Sequence, residues 1–142
     1  MFVSHILRGK DSEIITASVD DTVEGVAKTL GERRIGAVLV MEGGTIAGIL
    51  SERDIVRGIA IRGGKVLGDS VQTLMTKTVV TCSSNDSVNE VMALMTERRI
   101  RHVPVMDDDQ LIGIVTIGDV VKERISEAEH EAQALMEYIA TG

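Results

Sequence analysis

Gly48-Ile49-Leu50-Ser51-Glu52-Arg53-Asp54 and Gly113-Ile114-Val115-Thr116-Ile117-Gly118-Asp119 are two copies of one short pattern. Each has a glycine, two aliphatic residues, a hydroxyl, and an acid three positions after the hydroxyl. The apolar run suits a strand. The hydroxyl and the acid suit the opening of a helix, where they satisfy backbone donors that have no partner of their own. Extending the comparison outward at a shift of about 65 residues aligns residues 14–57 with 79–122 without a gap, at roughly 16 identities over about 44 positions. Thr16 falls on Thr81, Glu32-Arg33-Arg34-Ile35 on Glu97-Arg98-Arg99-Ile100, and Asp54 on Asp119. The chain is one unit written twice.

Each unit reads as strand, helix, strand, strand, helix. Ile14-Ile15-Thr16 and Val79-Val80-Thr81 are β-branched and predict short strands. Asp21-Thr22 and Asp86-Ser87 supply capping side chains for the helices that follow. In those helices Val23, Val26, Ala27 and Leu30 recur at helical spacing, as do Val88, Val91, Met92 and Met95. Residues 37–40 and 103–105 are apolar strands. Glu42-Gly43-Gly44 and Asp107-Asp108-Asp109 are turn residues, predicting a hairpin in each unit. Pro104 marks a strand position without a ladder donor. Residues 69–75 predict a short helix ahead of the second unit.

A single three-stranded sheet leaves an apolar face that one unit can hardly cover. The expected fold is therefore α+β: two α/β-type repeats related by a pseudo-twofold axis, with small sheets face to face and helices flanking them. The expected boundaries are 8–65, 71–125, and a C-terminal helix over 126–142.

Composition narrows the function. The 142 residues are 44% hydrophobic and 26% charged, with a net charge of −7. That balance fits a globular chain and leaves no positive stripe for a phosphate backbone, so no nucleic acid is expected. No apolar run is long enough to span a bilayer, and no membrane partner is expected. Phe2 and Tyr138 are the only aromatic residues, so a nucleobase would rest on aliphatic side chains and backbone. Cys82 is a lone cysteine, read as buried and inert. It can form neither an internal disulfide nor a multi-cysteine metal site. Met1-Phe2-Val3-Ser4-His5 lacks the basic flank and apolar core of an export signal, so the expected compartment is the cytoplasm. His5, His102 and His130 are far apart, and no metal is expected. Nor does any nucleophile–base pair emerge.

The hydroxyl–acid segments admit two compatible readings. One is a capping box. The other is a ligand site, because a helix N-terminus offers N–H groups and a positive dipole end to phosphate. A carboxylate there can accept from both hydroxyls of a ribose.

These segments, with Val71-Gln72-Thr73-Leu74-Met75-Thr76 and Arg101-His102-Val103-Pro104-Val105, make the chain resemble a tandem pair of cystathionine-β-synthase (CBS) domains over nearly its whole length. The resemblance implies a stand-alone regulatory module that binds an adenosyl compound in the cleft between repeats. It implies that Asp54 and Asp119 hold ribose while Ser51 and Thr116 help hold phosphate. It places Lys10, Thr16, Lys77 and Thr81 of the first-strand regions, with Val38 and Val103, around the adenine. Arg101 and His102 would reach phosphates, whereas their counterparts Gly36 and Ala37 cannot; Arg53 is likewise matched by Gly118.

Beyond residue 125 the sequence carries Ile125, Ala128, Ala132, Leu135 and Ile139 at alternating three- and four-residue steps, among glutamates. This face either packs back on its own subunit or meets a second copy, and a homodimer is the favoured expectation. The expected function is regulatory and non-enzymatic, requiring no cofactor. The ligand would be AMP, ADP, ATP, NAD or S-adenosylmethionine, and the signal would pass to an unidentified partner protein. Two alternatives stay open: a dimerisation module with vestigial sites, and a nucleotide hydrolase using Asp54 or Asp119 as base.

Overall fold

In the computed structural model, which describes residues 1–10 and 13–141, each repeated segment is a strand running straight into a helix. Strand β3 (Thr45–Ser51) enters α3 (Glu52–Arg62), and β5 (Gln110–Thr116) enters α5 (Ile117–Thr141). The chain forms two compact units: one is Ile14–Val79, and the other joins Met1–Glu13 to Val80–Gly142.

The contiguous unit holds a sheet in the order β1 (Thr16–Ser18), β2 (Ala37–Glu42), β3. Strand β1 is parallel to β2, and β2 and β3 form an antiparallel hairpin. The expected first strand is thus present but begins two residues later, at Thr16. The hairpin turns through Gly43 and Gly44, at φ of 57° and 84°, the left-handed conformation that a two-residue turn demands. Helix α2 (Val23–Arg33) begins at Thr22, whose hydroxyl accepts from the Gly25 N–H at 3.1 Å. Asp21, read from sequence as part of that cap, instead accepts from the Ser18 N–H at 2.9 Å and closes the turn before it. Val23, Val26 and Leu30 of α2 pack with Val38, Val40, Leu50 and Ile55 as the core.

The discontinuous unit repeats this plan with one strand fewer. Its sheet is β4 (His102–Asp107) against β5, turning through Asp108 and Asp109 at φ of 49° and 61°. The strand expected over residues 79–81 is replaced by a single parallel bridge, Cys82 to Val105. Pro104 explains the loss. Its carbonyl accepts from the Cys82 N–H at 3.0 Å, so this residue faces the incoming segment. Lacking an N–H, it cannot donate one step earlier, and the ladder stops there. Beyond the bridge, Ser83 Oγ, Ser84 N–H and Ser84 Oγ all donate to the Asp107 carboxylate. Helix α4 (Val88–Arg98) is capped by Ser87, which accepts from the Glu90 N–H at 3.0 Å.

The compact units overlap the repeat blocks imperfectly at their edges. Helix α1 (Val3–Arg8) belongs with the second repeat: Val3 is fully buried and Ile6 is 7% exposed, in one cluster with Val88, Val91, Val103 and Val115. Residues 64–73 coil into short 3-10 turns, and Val71 packs into the core of the first repeat. The two attachments match. Val3 N–H donates to Asp86 O at 2.9 Å, and Val71 N–H donates to Asp21 O at 3.0 Å. Leu7 and Met75 fill the space that a side chain at Gly113 and Gly48, respectively, would need.

Arg34 and Arg99 end α2 and α4 in the left-handed conformation, at φ of 54° and 55°. That costs a non-glycine residue about 1–2 kcal/mol, against roughly 0.5–1 kcal/mol of extra chain entropy for glycine. Arg34→Gly and Arg99→Gly are each expected to stabilise the chain by about 0.5–1 kcal/mol. Urea unfolding checks this, and a lowered midpoint would show that the arginine stems contribute packing that outweighs the relieved strain.

Candidate functional site

At both helix openings the hydroxyl and the acid bond reciprocally. Asp54 N–H donates to Ser51 Oγ at 3.2 Å, and Ser51 N–H donates to Asp54 Oδ2 at 3.0 Å. Asp119 N–H donates to Thr116 Oγ1 at 3.2 Å, and Thr116 N–H donates to Asp119 Oδ2 at 2.9 Å. The capping box is therefore made twice. It leaves Oδ1 of each carboxylate without a donor among the described residues, on half-buried side chains at a helix N-terminus.

The strand registers bring the neighbours into place. His102 pairs with Thr116, and the Arg101 carbonyl accepts from the Ile117 N–H at 2.9 Å. Arg101, His102, Thr116 and Asp119 thus share one corner of the second unit. In the first unit the same positions are Gly36, Ala37, Ser51 and Asp54, with the Gly36 carbonyl accepting from Glu52 N–H at 2.9 Å. Val38 and Val103, on the middle strands, are both buried. Thr16 and Val38 border a cavity of about 270 Å³ that is also lined by Thr22, the cap of α2, and by Val26 and Thr29 within it. Neither Ser51 nor Asp54 lines that cavity. Arg53, Lys77 and Thr81 are exposed; Lys77 follows the bridge from Ile49 to Thr76, and Thr81 precedes Cys82.

Lys10 is where the structure adds most. Its ammonium donates to Asp119 Oδ2 and to the Ile114 carbonyl, both at 2.7 Å. Burial works to raise the Asp119 carboxyl, but the bond from Lys10, the Thr116 N–H and the lysine charge outweigh it and hold it below the usual range. This pair spans 109 positions, and nothing local in the sequence announces it. Asp54 makes no ion pair among the described residues. The segment 10–16, which the family resemblance assigns to the adenine, includes residues 11 and 12, which lie outside the described residues.

Cys82 is buried, and its thiol is pushed up to about 12 by burial and by the charges of Asp86 and Asp107. It stays protonated at neutral pH and is a poor nucleophile. Among the described residues no cluster of three His, Cys, Asp or Glu side chains suits a metal, and no helix is long and apolar enough to cross a membrane.

The model of the CBS domain family matches residues 3–61 and 71–126. The chain belongs to the CBS domain family. This CBS chain is 35% identical to the mitochondrial CBS domain-containing protein CBSX3 of Arabidopsis thaliana, over 99% of its own length and 72% of that protein's. Among solved structures it resembles the CBS-domain protein ATU1752 of Agrobacterium tumefaciens, at 42% identity and a TM-score of 0.85, covering 87% of this chain and 99% of that one. It also resembles the CBS domain pair of protein MJ0100, solved in complex with 5′-methylthioadenosine and S-adenosyl-L-methionine. That likeness is at 26% identity and a TM-score of 0.79, covering 89% and 98% of the two chains.

Proposed function

We propose that this CBS chain is a regulatory, non-catalytic module that binds an adenosyl ligand at Asp54 and at Asp119. Its candidate ligands are AMP, ADP, ATP, NAD and S-adenosylmethionine. The observation that carries this reading is the duplicated box, which holds each carboxylate in place at the N-terminus of a helix while leaving one of its oxygens without a donor among the described residues. A ribose diol can donate to that oxygen, and phosphate suits the helix end. Thr16, Val38, Lys77, Thr81 and Val103 would supply aliphatic and backbone contacts to the base. Arg101 and His102 would add charge-assisted bonds to phosphates in the second unit, and Arg53 in the first. The adenosyl compounds held by the MJ0100 pair support the ligand class. A differential affinity for two shapes of the module would pass occupancy on to a partner protein. A single buried thiol suits a reducing cytoplasm.

The decisive experiment is titration calorimetry with each of the five candidates against guanosine controls, beside mass spectrometry of ligand carried through native purification. Saturable adenosyl binding that is lost in an Asp54→Asn, Asp119→Asn variant is expected. Failure of every candidate to bind would favour the second reading, a dimerisation module.

That second role has its own support, compatible with the first. Residues 128–141 of α5 are exposed along their whole length, with Leu135, Tyr138 and Ile139 at 59%, 75% and 68%. No residue of that stretch is buried among the described residues. A second copy of the helix would cover it, with Ile125, Ala128, Ala132, Leu135 and Ile139 as seam positions. Light scattering is expected to give twice 15.3 kDa, and a chain cut before Ser126 is expected to dissociate more readily. A strict monomer at micromolar concentration would reject the dimer.

A further inference from the structure

Resting on the adenosyl-site reading above, we infer that Lys10 sets the two sites apart: its ammonium already occupies one of the acceptor positions on Asp119 that a ribose would use. Asp119 Oδ2 receives the Thr116 N–H at 2.9 Å and the Lys10 ammonium at 2.7 Å, so both of its lone-pair directions are taken. Lys10 is anchored by a second bond, to the Ile114 carbonyl, and its side chain is only 26% exposed. Among the described residues Asp54 Oδ2 receives only the Ser51 N–H.

The repeat makes this difference a local one. Val3 and Val71 are equivalent by their matching bonds to Asp86 and Asp21. Lys10 lies seven positions after Val3, and the residue seven positions after Val71 is Thr78. Lys77, the residue before it, is exposed and makes no ion pair among the described residues, so no cation engages Asp54 as Lys10 engages Asp119. A diol approaching Asp54 meets a carboxylate with one oxygen open and the other half-engaged. At Asp119 it must displace the lysine or use Oδ1 alone. Lys10 thus works as an internal competitor, a positioning residue that weakens an uncharged nucleoside at the second unit while leaving the first untouched. The first site fills before the second.

Calorimetry with adenosine on the full chain tests this. In an Asp54→Asn background only the Asp119 site is read. Adding Lys10→Met, which keeps the stem and removes the charge, is expected to tighten adenosine about fivefold, the upper end for a partly exposed ion pair. In an Asp119→Asn background the same Lys10→Met change is expected to leave adenosine affinity unaltered. Raising salt should narrow the gap between chains with and without the Lys10→Met change by screening the pair. Unchanged or weakened adenosine binding in the Asp54→Asn background would overturn the inference while leaving the adenosyl reading intact. Absence of binding by adenosine and by all five candidates in the unaltered chain would instead remove the adenosyl reading, and this inference with it.

Discussion

Replacing Ile6 by alanine is expected to cost about 2–4 kcal/mol of folding stability, one of the largest effects available in this chain. Ile6 is 7% exposed and packs with Val3, Val88, Val91 and Val115, so truncation leaves a cavity among side chains of α1, α4 and β5. The neighbouring backbone cannot close over it easily: Val3 N–H is bonded to Asp86 O, and Val88 N–H to Met1 O at 3.0 Å. Ile61→Ala is the control, since that isoleucine is 82% exposed and is expected to change stability by less than about 0.5 kcal/mol. Urea unfolding of both variants checks the contrast. Equal, small losses would mean that the N-terminal helix does not contribute to the second core.

An adenosyl ligand at a hundred times its dissociation constant is expected to add about 2.7 kcal/mol, by mass action on the folded state alone. For a chain of this size that raises the melting temperature by roughly 5–11 °C. The Asp54→Asn, Asp119→Asn variant should lose the shift. Asparagine is chosen because its carbonyl can still accept from the Ser51 or Thr116 N–H, so the helix cap survives while the charge and one strong acceptor go. Melting with AMP, ATP, NAD and S-adenosylmethionine measures it. A full shift retained in the double variant would place the ligand elsewhere.

What could be read from sequence was whatever is local. Helices α2 and α4 are announced by apolar residues at helical spacing and by Thr22 and Ser87 in front of them, and both ends of that signal lie close together in the chain. The hairpins follow from Gly43-Gly44 and Asp108-Asp109, the residues that best tolerate left-handed turns. The Ser51–Asp54 and Thr116–Asp119 boxes are legible for the same reason. Helix α1 was not, because its six residues are too short for periodicity to register, and its burial is decided by the second repeat rather than by its own neighbours. The missing strand before Cys82 turned on one absent N–H, at Pro104, acting across the sheet. Family resemblance alone assigns Lys10 to the adenine. Its bond to Asp119 depends on where the chain end returns, which no local pattern encodes.

The division of the chain also orders its birth. Ile14–Val79 is one uninterrupted stretch, so every contact in its core is available once that stretch has left the ribosome. The other unit needs the first residues of the chain and the last half together. Its leading segment must wait, with Val3 and Ile6 unburied, until the strands that receive it have been synthesised. Contacts so distant in sequence close slowly, because the loop between them must be ordered first. Here that loop is the contiguous unit, and an earlier-synthesised unit that folds first leaves less loop entropy to be lost on closure. The order of synthesis thereby favours completing the contiguous unit before the discontinuous one.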